Sequence, residues 1–290
     1  HARESRVEFT LLTSLSHAAL SSRTNRLGND YDDETSFELF ELLQRKAGER
    51  NRLLEGGAVN WLVDHCSGDV VTRTVDAIIQ SGTSLDVLLR EGSRTLFSLL
   101  HPVARRGHSA ALKLLLDAGA NKDTKDNNKW RTALMWAANN DSTDAVKLLL
   151  DAGADPNARV TITADTPLML AARTGIPDAV EVLLDNGAEV NVREEWGRTT
   201  PLMWAVAEGH TSVAKLLLES GAEVNARTIF VPPDTARGFE GSPPRDRLKD
   251  EIGPIQHASG ELTAIHFAAR DGYLDTAELL LDSGAEIDAL

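Results

Sequence analysis

Asp30, Asp32, Glu34 and Glu41 stand at positions one, three, five and twelve of the twelve-residue loop that wraps calcium in oxygen. Thr35 occupies the sixth position, where such a loop needs glycine for its sharp turn. Thr35 with Glu38 also fits a capping box, and acids gather at a helix start because they offset its exposed N–H groups. The helix start explains these acids at least as well as calcium does, so no metal is expected. His65 and Cys66 invite comparison with a thiolate–imidazole pair. Consecutive residues on a helix point in different directions, and Cys66 falls at a small-residue core position. His257 has no partner at a motif spacing. Phosphate loops, zinc-ligand spacings and Ser nucleophile motifs do not occur. The expectation is a chain with no catalytic residue, no metal and no cofactor. A weaker alternative is an enzyme or ion-binding protein that uses residues 228–260 or the N-terminal acids.

Composition narrows the partners. The 290 residues carry a net charge of −14 and a pI near 5.0, and 42% are hydrophobic. A polyanion of this kind repels phosphate backbones, so nucleic acid is not an expected partner. No run approaches the ~20 apolar residues of a membrane span. With Cys66 as the only cysteine, no internal disulfide can form. The first residue is His1, which suggests a trimmed chain. The compartment is left open: cytoplasmic, or periplasmic or secreted if a signal peptide preceded His1.

The elements that must position any site follow a beat. Gly119, Gly153, Gly187 and Gly221 each follow a Leu-rich run, and each step is 34 residues. Thr132, Thr166 and Thr200 open "TALMWAA", "TPLMLAA" and "TPLMWAV" at the same step, and Thr263 opens "TAIHFAA". Thr-to-Gly spacing is 21 in each unit, and Ser98 to Gly119 repeats it. Five copies in one register define a repeat protein. Within one copy, Thr166 is an N-cap and Pro167 sits at the first helical position, where its missing N–H costs nothing. Gly175 ends a short Ala-rich helix, and Pro177 starts a second one. Val180, Val182, Leu183 and Leu184 supply its apolar stripe, and Gly187 closes it before a hairpin. Such a pair cannot cover its own apolar side, so neighbouring copies must stack.

"TPLMLAARTGIPDAVEVLLDNGAEVN" resembles the ankyrin repeat, whose usual form reads T-P-L-H-x-A-A, G-H, V-x-x-L-L, G-A-x-x-N. The resemblance covers about residues 98–290. Met135, Met169 and Met203 replace the family's His, which bonds across neighbouring turns; His101 and His266 keep it. Asp141 replaces the first-helix Gly in one copy. The copies are one residue longer than the family norm, with the extra residue in the hairpin. "EEWGRTTPLMWAVAEGH", followed by a long insert and a further repeat, is similar to bacterial multi-repeat ankyrin proteins. The implied fold is an all-α solenoid of stacked helix pairs with short β-hairpin loops, plus an N-terminal helical cap. The expected domains are a cap at 1–60, a degenerate repeat at 61–97 and five repeats at 98–290. The last helices end near "LLLDSGAEIDAL", which calls for a continuing chain or a partner over them.

Gly221 to Thr263 takes 42 residues where neighbouring copies take 13, so 29 residues are inserted in one hairpin, at 228–260. Insertions in repeat arrays map to loops, often on the binding face. Such a segment is either a tolerated loop or a recognition arm anchored by Phe230 and Phe239. The family resemblance implies a binding face of hairpin tips and first helices. It points to Lys125, Arg159, Arg193 and Arg227, six residues after each repeat's Gly, and to Trp130 and Trp196. Asn139, Arg173, Ala207 and Arg270 follow the first-helix alanines and are expected on the concave side. The cationic row suits a protein partner with an acidic patch. Its plainer explanation is solvated charges, some paired with Glu194, Glu195 or Asp126. Trp136 and Trp204 read as packing, and Asp117, Asp151, Asp185, Glu219 and Asp282 as a solvated outer row. The function expected is a monomeric, non-enzymatic protein–protein interaction scaffold. Its alternative is a docking module of a larger protein.

Overall fold

A computed structural model describes Phe37 and residues 58–82, 84–85, 89–91, 95–127, 129–161, 163–195, 197–229 and 261–287. The cap expected at 1–60 lies outside the described residues except for Phe37 and the start of the first helix. The insertion lies outside them except for Thr228 and Ile229. Contacts divide the chain into two compact units, residues 1–136 and 137–290.

In the first unit, α1 (Ala58–His65) and α2 (Gly68–Gln80) form a helix pair. Two three-residue strands follow, β1 (Leu89–Glu91) and β2 (Thr95–Phe97). They pair antiparallel with Leu89 opposite Phe97 and Glu91 opposite Thr95. A second pair, α3 (Leu100–Arg105) and α4 (Ser109–Asp117), packs on the first, α3 against α1 and α4 against α2. Val71 and Val75 of α2 and Leu112 and Leu115 of α4 are fully buried. Each such side chain adds roughly 1.5–3 kcal/mol over an exposed one. Neither pair is long enough to hide its apolar face alone, so the two cover each other. Phe37 is helical and buried, with the Arg73 guanidinium 3.8 Å from its ring centre. The division between units falls inside α5 (Ala133–Ala138).

The second unit repeats the device. It comprises α6 (Thr143–Asp151), α7 (Pro167–Thr174), α8 (Pro177–Asp185), α9 (Pro201–Ala207), α10 (Thr211–Glu219), α11 (Ala264–Asp271) and α12 (Leu274–Asp282). First helices stack in the order α7, α9, α11, and second helices in the order α6, α8, α10, α12. This is the layered stacking of an all-α solenoid. Thr166 Oγ1 accepts from Met169 N at 3.4 Å with Pro167 at the first helical position, and Thr200 does the same for Met203 N at 3.3 Å before Pro201. Gly175 ends α7 with φ +75°. The His210 ring lies so close beneath it that a Cβ would collide with the imidazole. Gly187 N bonds back to Leu184 O and Ala188 N to Leu183 O, closing α8 as a glycine cap should.

The stripe on α8 is narrower than the sequence pattern suggests. Ala179, Val180 and Leu183 are buried, whereas Val182 and Leu184 are half-buried. At 3.6 residues per turn the last two fall to the flanks of the 179–180–183 face. Met135, Met169 and Met203 are buried and pack as core residues where the repeat pattern has His. Trp204 is 5% exposed, while Trp136 is half-buried. Ala207, expected on the concave side, is buried.

Candidate functional site

Each hairpin arm begins just after the glycine that closes a second helix, and the same backbone bond closes every tip. Asp126 N donates to Arg131 O, Val160 N to Asp165 O, Glu194 N to Thr199 O, and Thr228 N to Leu262 O, all at 2.9–3.1 Å. The fourth of these bonds spans the insertion. The hairpin base is therefore intact on both sides of it, and the added residues sit within the tip. Buried carboxylates complete two of the tips. Buried Asp126 accepts from Lys129 N, Trp130 N and Trp136 Nε1 at 2.6, 3.1 and 2.7 Å. Buried Glu194 accepts through Oε1 from Gly197 N, Thr199 N and Thr199 Oγ1. Trp204 Nε1, by contrast, is buried and has no hydrogen-bond partner among the described residues.

In the second unit successive hairpins are tied together. Asn157 Nδ2 donates to Gly187 O at 2.9 Å, and its Oδ1 accepts from Glu189 N at 2.8 Å. Asn191 grips Gly221 O and Glu223 N at 3.0 and 2.8 Å. Asn225 grips Gly284 O and Glu286 N at 3.1 and 2.9 Å, reaching past the insertion. One donor and one acceptor in each clamp fix which way the amide faces. Backbone bonds add a second tie: Glu195 N to Thr163 O at 3.0 Å, and Ile229 N to Gly197 O at 2.9 Å. The arms thus form a continuous, pre-ordered surface within this unit.

Arg159, Arg193 and Arg227 of the cationic row lie on that surface. Arg159 pairs with Glu189 at 3.6 Å, Arg193 with Glu223 at 3.1 Å and Arg227 with Glu261 at 3.7 Å. The first two pairs join one hairpin to the next, the third lies within the hairpin that carries the insertion, and their acids are not Glu194, Glu195 or Asp126. Glu194 and Asp126 are buried and hold their own tips. Lys125 is exposed, and Trp130 is 44% exposed at its own tip in the first unit. Arg173 Nη2 donates to Asn139 Oδ1 at 3.0 Å, and its guanidinium lies 5.6 Å from the Trp204 ring centre. Arg270 is held by the adjacent Asp271 through two bonds of 2.8 and 2.5 Å, which lowers the Asp271 pKa and raises that of Arg270. Trp196, Phe230 and Phe239 lie outside the described residues, as do the calcium-like acids and His257.

Sequence reasoning missed two features. The Asn clamps sit four residues after Gly153, Gly187 and Gly221, a signal the 34-residue alignment already contained. The second is a set of left-handed residues two before each repeat's opening Thr: Trp130, Ala164, Arg198 and Glu261 have φ of +55°, +57°, +56° and +59°. No residue type marks that position, so nothing in the composition could have found it. In the first unit, His101 is buried. Ser98 N donates to its Nδ1 at 3.0 Å, so Nε2 carries the proton toward Thr124 O and Arg131 O, each at 3.1 Å. Burial lowers its pKa below the ordinary 6.5. Cys66 is buried and His65 exposed. The acidic row from Asp117 to Asp282 is exposed throughout. Among the described residues no group of three or more His, Cys, Asp or Glu is placed to hold a metal, and no helix is long and apolar enough to cross a membrane.

Stacked helix pairs with clamped hairpins define a helical-repeat protein. The family pattern "Ankyrin repeats (3 copies)" matches residues 58–160 and 158–228, and the pattern "Ankyrin repeat" matches 261–290. The chain belongs to the ankyrin-repeat family. The matches leave out residues 229–260, the segment already set apart by its spacing. A search of curated proteins found no match. Ankyrin repeats are protein–protein interaction modules and are typically non-enzymatic.

Proposed function

We propose that this protein is a monomeric interaction scaffold that holds one protein partner along its hairpins and first helices. The partner offers an acidic patch to the row of Lys125, Arg159, Arg193 and Arg227. Trp130 and Trp196 act as apolar anchors. Asn139, Arg173 and Arg270 border the contact, and residues 228–260, with Phe230 and Phe239, extend it. In this reading residues 1–60 cap the repeats and 61–97 form a degenerate first one. The observation that carries the proposal is the clamping of successive hairpins by Asn157, Asn191 and Asn225. Arms fixed in this way lose little entropy on binding, which favours affinity. The test is partner capture by the intact protein, by a Trp130→Ala, Trp196→Ala variant and by a protein lacking 229–259. A partner lost by the Trp variant supports the hairpin face. Equal recovery by all three proteins overturns it.

A further inference from the structure

The hairpin arms of the second unit enclose an open groove of about 830 Å³, lined among others by Arg159, Glu189, Arg193, Glu195, Arg198 and Ile229. Its charges are unequally engaged. Arg159 and Arg193 are in ion pairs, and the Glu194 carboxylate is turned into its own tip. Arg198 is exposed, and among the described residues it makes no ion pair or side-chain hydrogen bond. It also holds a left-handed backbone at φ +56°, a conformation that costs a residue with a Cβ roughly 1 kcal/mol. Ile229 is 47% exposed although its N–H is pinned to Gly197 O, so an apolar side chain is held at the groove wall facing water. Glu195 is exposed in the same groove and disfavours an acid on its side.

We infer that this groove binds an extended acidic segment, with one carboxylate held by Arg198 and a neighbouring apolar side chain seated on Ile229. Charge complementarity sets the choice of occupant. The glutamates beside Arg159 and Arg193 already offset part of their charge, whereas the Arg198 guanidinium has no carboxylate beside it among the described residues and attracts an incoming one more strongly. A guanidinium takes a carboxylate through two parallel N–H bonds, a geometry a lysine lacks. The inference rests on the hairpin face being the binding face and adds the chemistry of its ligand.

The test uses the 290-residue protein and labelled eight-residue peptides of sequence Glu-Glu-Leu-Leu repeated, with Lys-Lys-Leu-Leu and Gln-Gln-Leu-Leu as controls, read by fluorescence anisotropy at physiological salt. Because the protein carries a net charge of −14, unspecific attraction favours the lysine peptide, so a preference for glutamate has to come from a site. The expected result is glutamate over lysine by about tenfold, with a loss of about the same size in Arg198→Glu. Glu195→Gln should tighten the glutamate peptide severalfold. Arg198→Gly separates binding from folding: it relieves the left-handed strain and raises the melting temperature by about 2 °C, yet still loses the peptide. Peptides that bind alike, or an Arg198→Glu variant that binds as before, overturn the inference. If the glutamate peptide fails while partner capture still depends on Trp130 and Trp196, the ligand chemistry is wrong and the hairpin face stands. If both fail, the binding face itself is wrong.

Discussion

Two tryptophans in equivalent positions have unequal surroundings. Trp136 Nε1 donates to Asp126 at 2.7 Å, and Trp204 Nε1 donates to nothing among the described residues. The acid in the position of Asp126 is Glu194, one methylene longer, and its Oε1 already accepts from Gly197 and Thr199. A buried hydrogen-bonding group left without its partner costs roughly 1–3 kcal/mol. Trp136→Phe therefore takes one hydrogen bond from a buried carboxylate, while Trp204→Phe loses no hydrogen bond among the described residues. Both lose ring volume, and Trp136→Phe should be the more destabilising by about 1 kcal/mol in urea unfolding. His101 gives a prediction in pH. Its folded pKa lies below the unfolded value, so the unfolded chain binds the proton more readily and stability rises with pH through this window. The contribution is complete above the ordinary value of 6.5 and is lost as pH falls below it toward the folded pKa. Protonation would put a hydrogen on Nδ1, against the Ser98 N–H. The urea midpoint should drop between pH 7.5 and 5.5, and His101→Asn, though less stable at pH 7.5, should show a smaller drop.

At the scale of elements, the repeats are joined by more than apolar burial. Asn191 satisfies a carbonyl and an amide of the next hairpin, so Asn191→Ala removes two hydrogen bonds at once. Its expected cost is about 1–2 kcal/mol in urea unfolding. Glu223→Gln, which weakens the part-exposed pair with Arg193 at 3.1 Å, should cost well under 1 kcal/mol because water screens it. Helices were legible before any coordinates, since Thr166–Pro167, Gly175 and Gly187 encode a start, a stop and a closure by local chemistry alone. The stripe on α8 was less legible, because Val182 and Leu184 are apolar yet sit on its flanks. The pairing of the Arg row was harder still. Its acids Glu189 and Glu223 lie 30 residues away along the chain, and only the stacking of hairpins brings them near. The exposed Arg198 was not legible at all, since its availability follows from a backbone angle and from the pairing of its neighbours.

On the scale of the whole chain, the insertion tests whether repeats or long-range packing hold the second unit together. Thr228 N reaches Leu262 O at 2.9 Å, Glu261 N returns to Thr228 O at 2.9 Å, and Asn225 spans to Gly284 at 3.1 Å. The backbone bond that closes each preceding tip and the Asn clamp to the next arm are therefore made here too, by residues that flank 230–260. In the third hairpin two residues, Trp196 and Gly197, occupy the place of those 31. Replacing 230–260 by Trp-Gly should therefore restore a four-residue tip and keep α11 and α12 stacked on α9 and α10. Loop-closure entropy changes only slowly with length, so shortening the tip should stabilise the unit by about 1–2 kcal/mol at most. Circular dichroism should show the same helical signal, and the urea midpoint should be unchanged or slightly raised. A large loss of helix or of midpoint would mean that the 31 residues carry packing the last repeat depends on. The same variant then measures binding apart from folding: a stable, shortened protein that has lost its partner assigns the contact to the insertion itself.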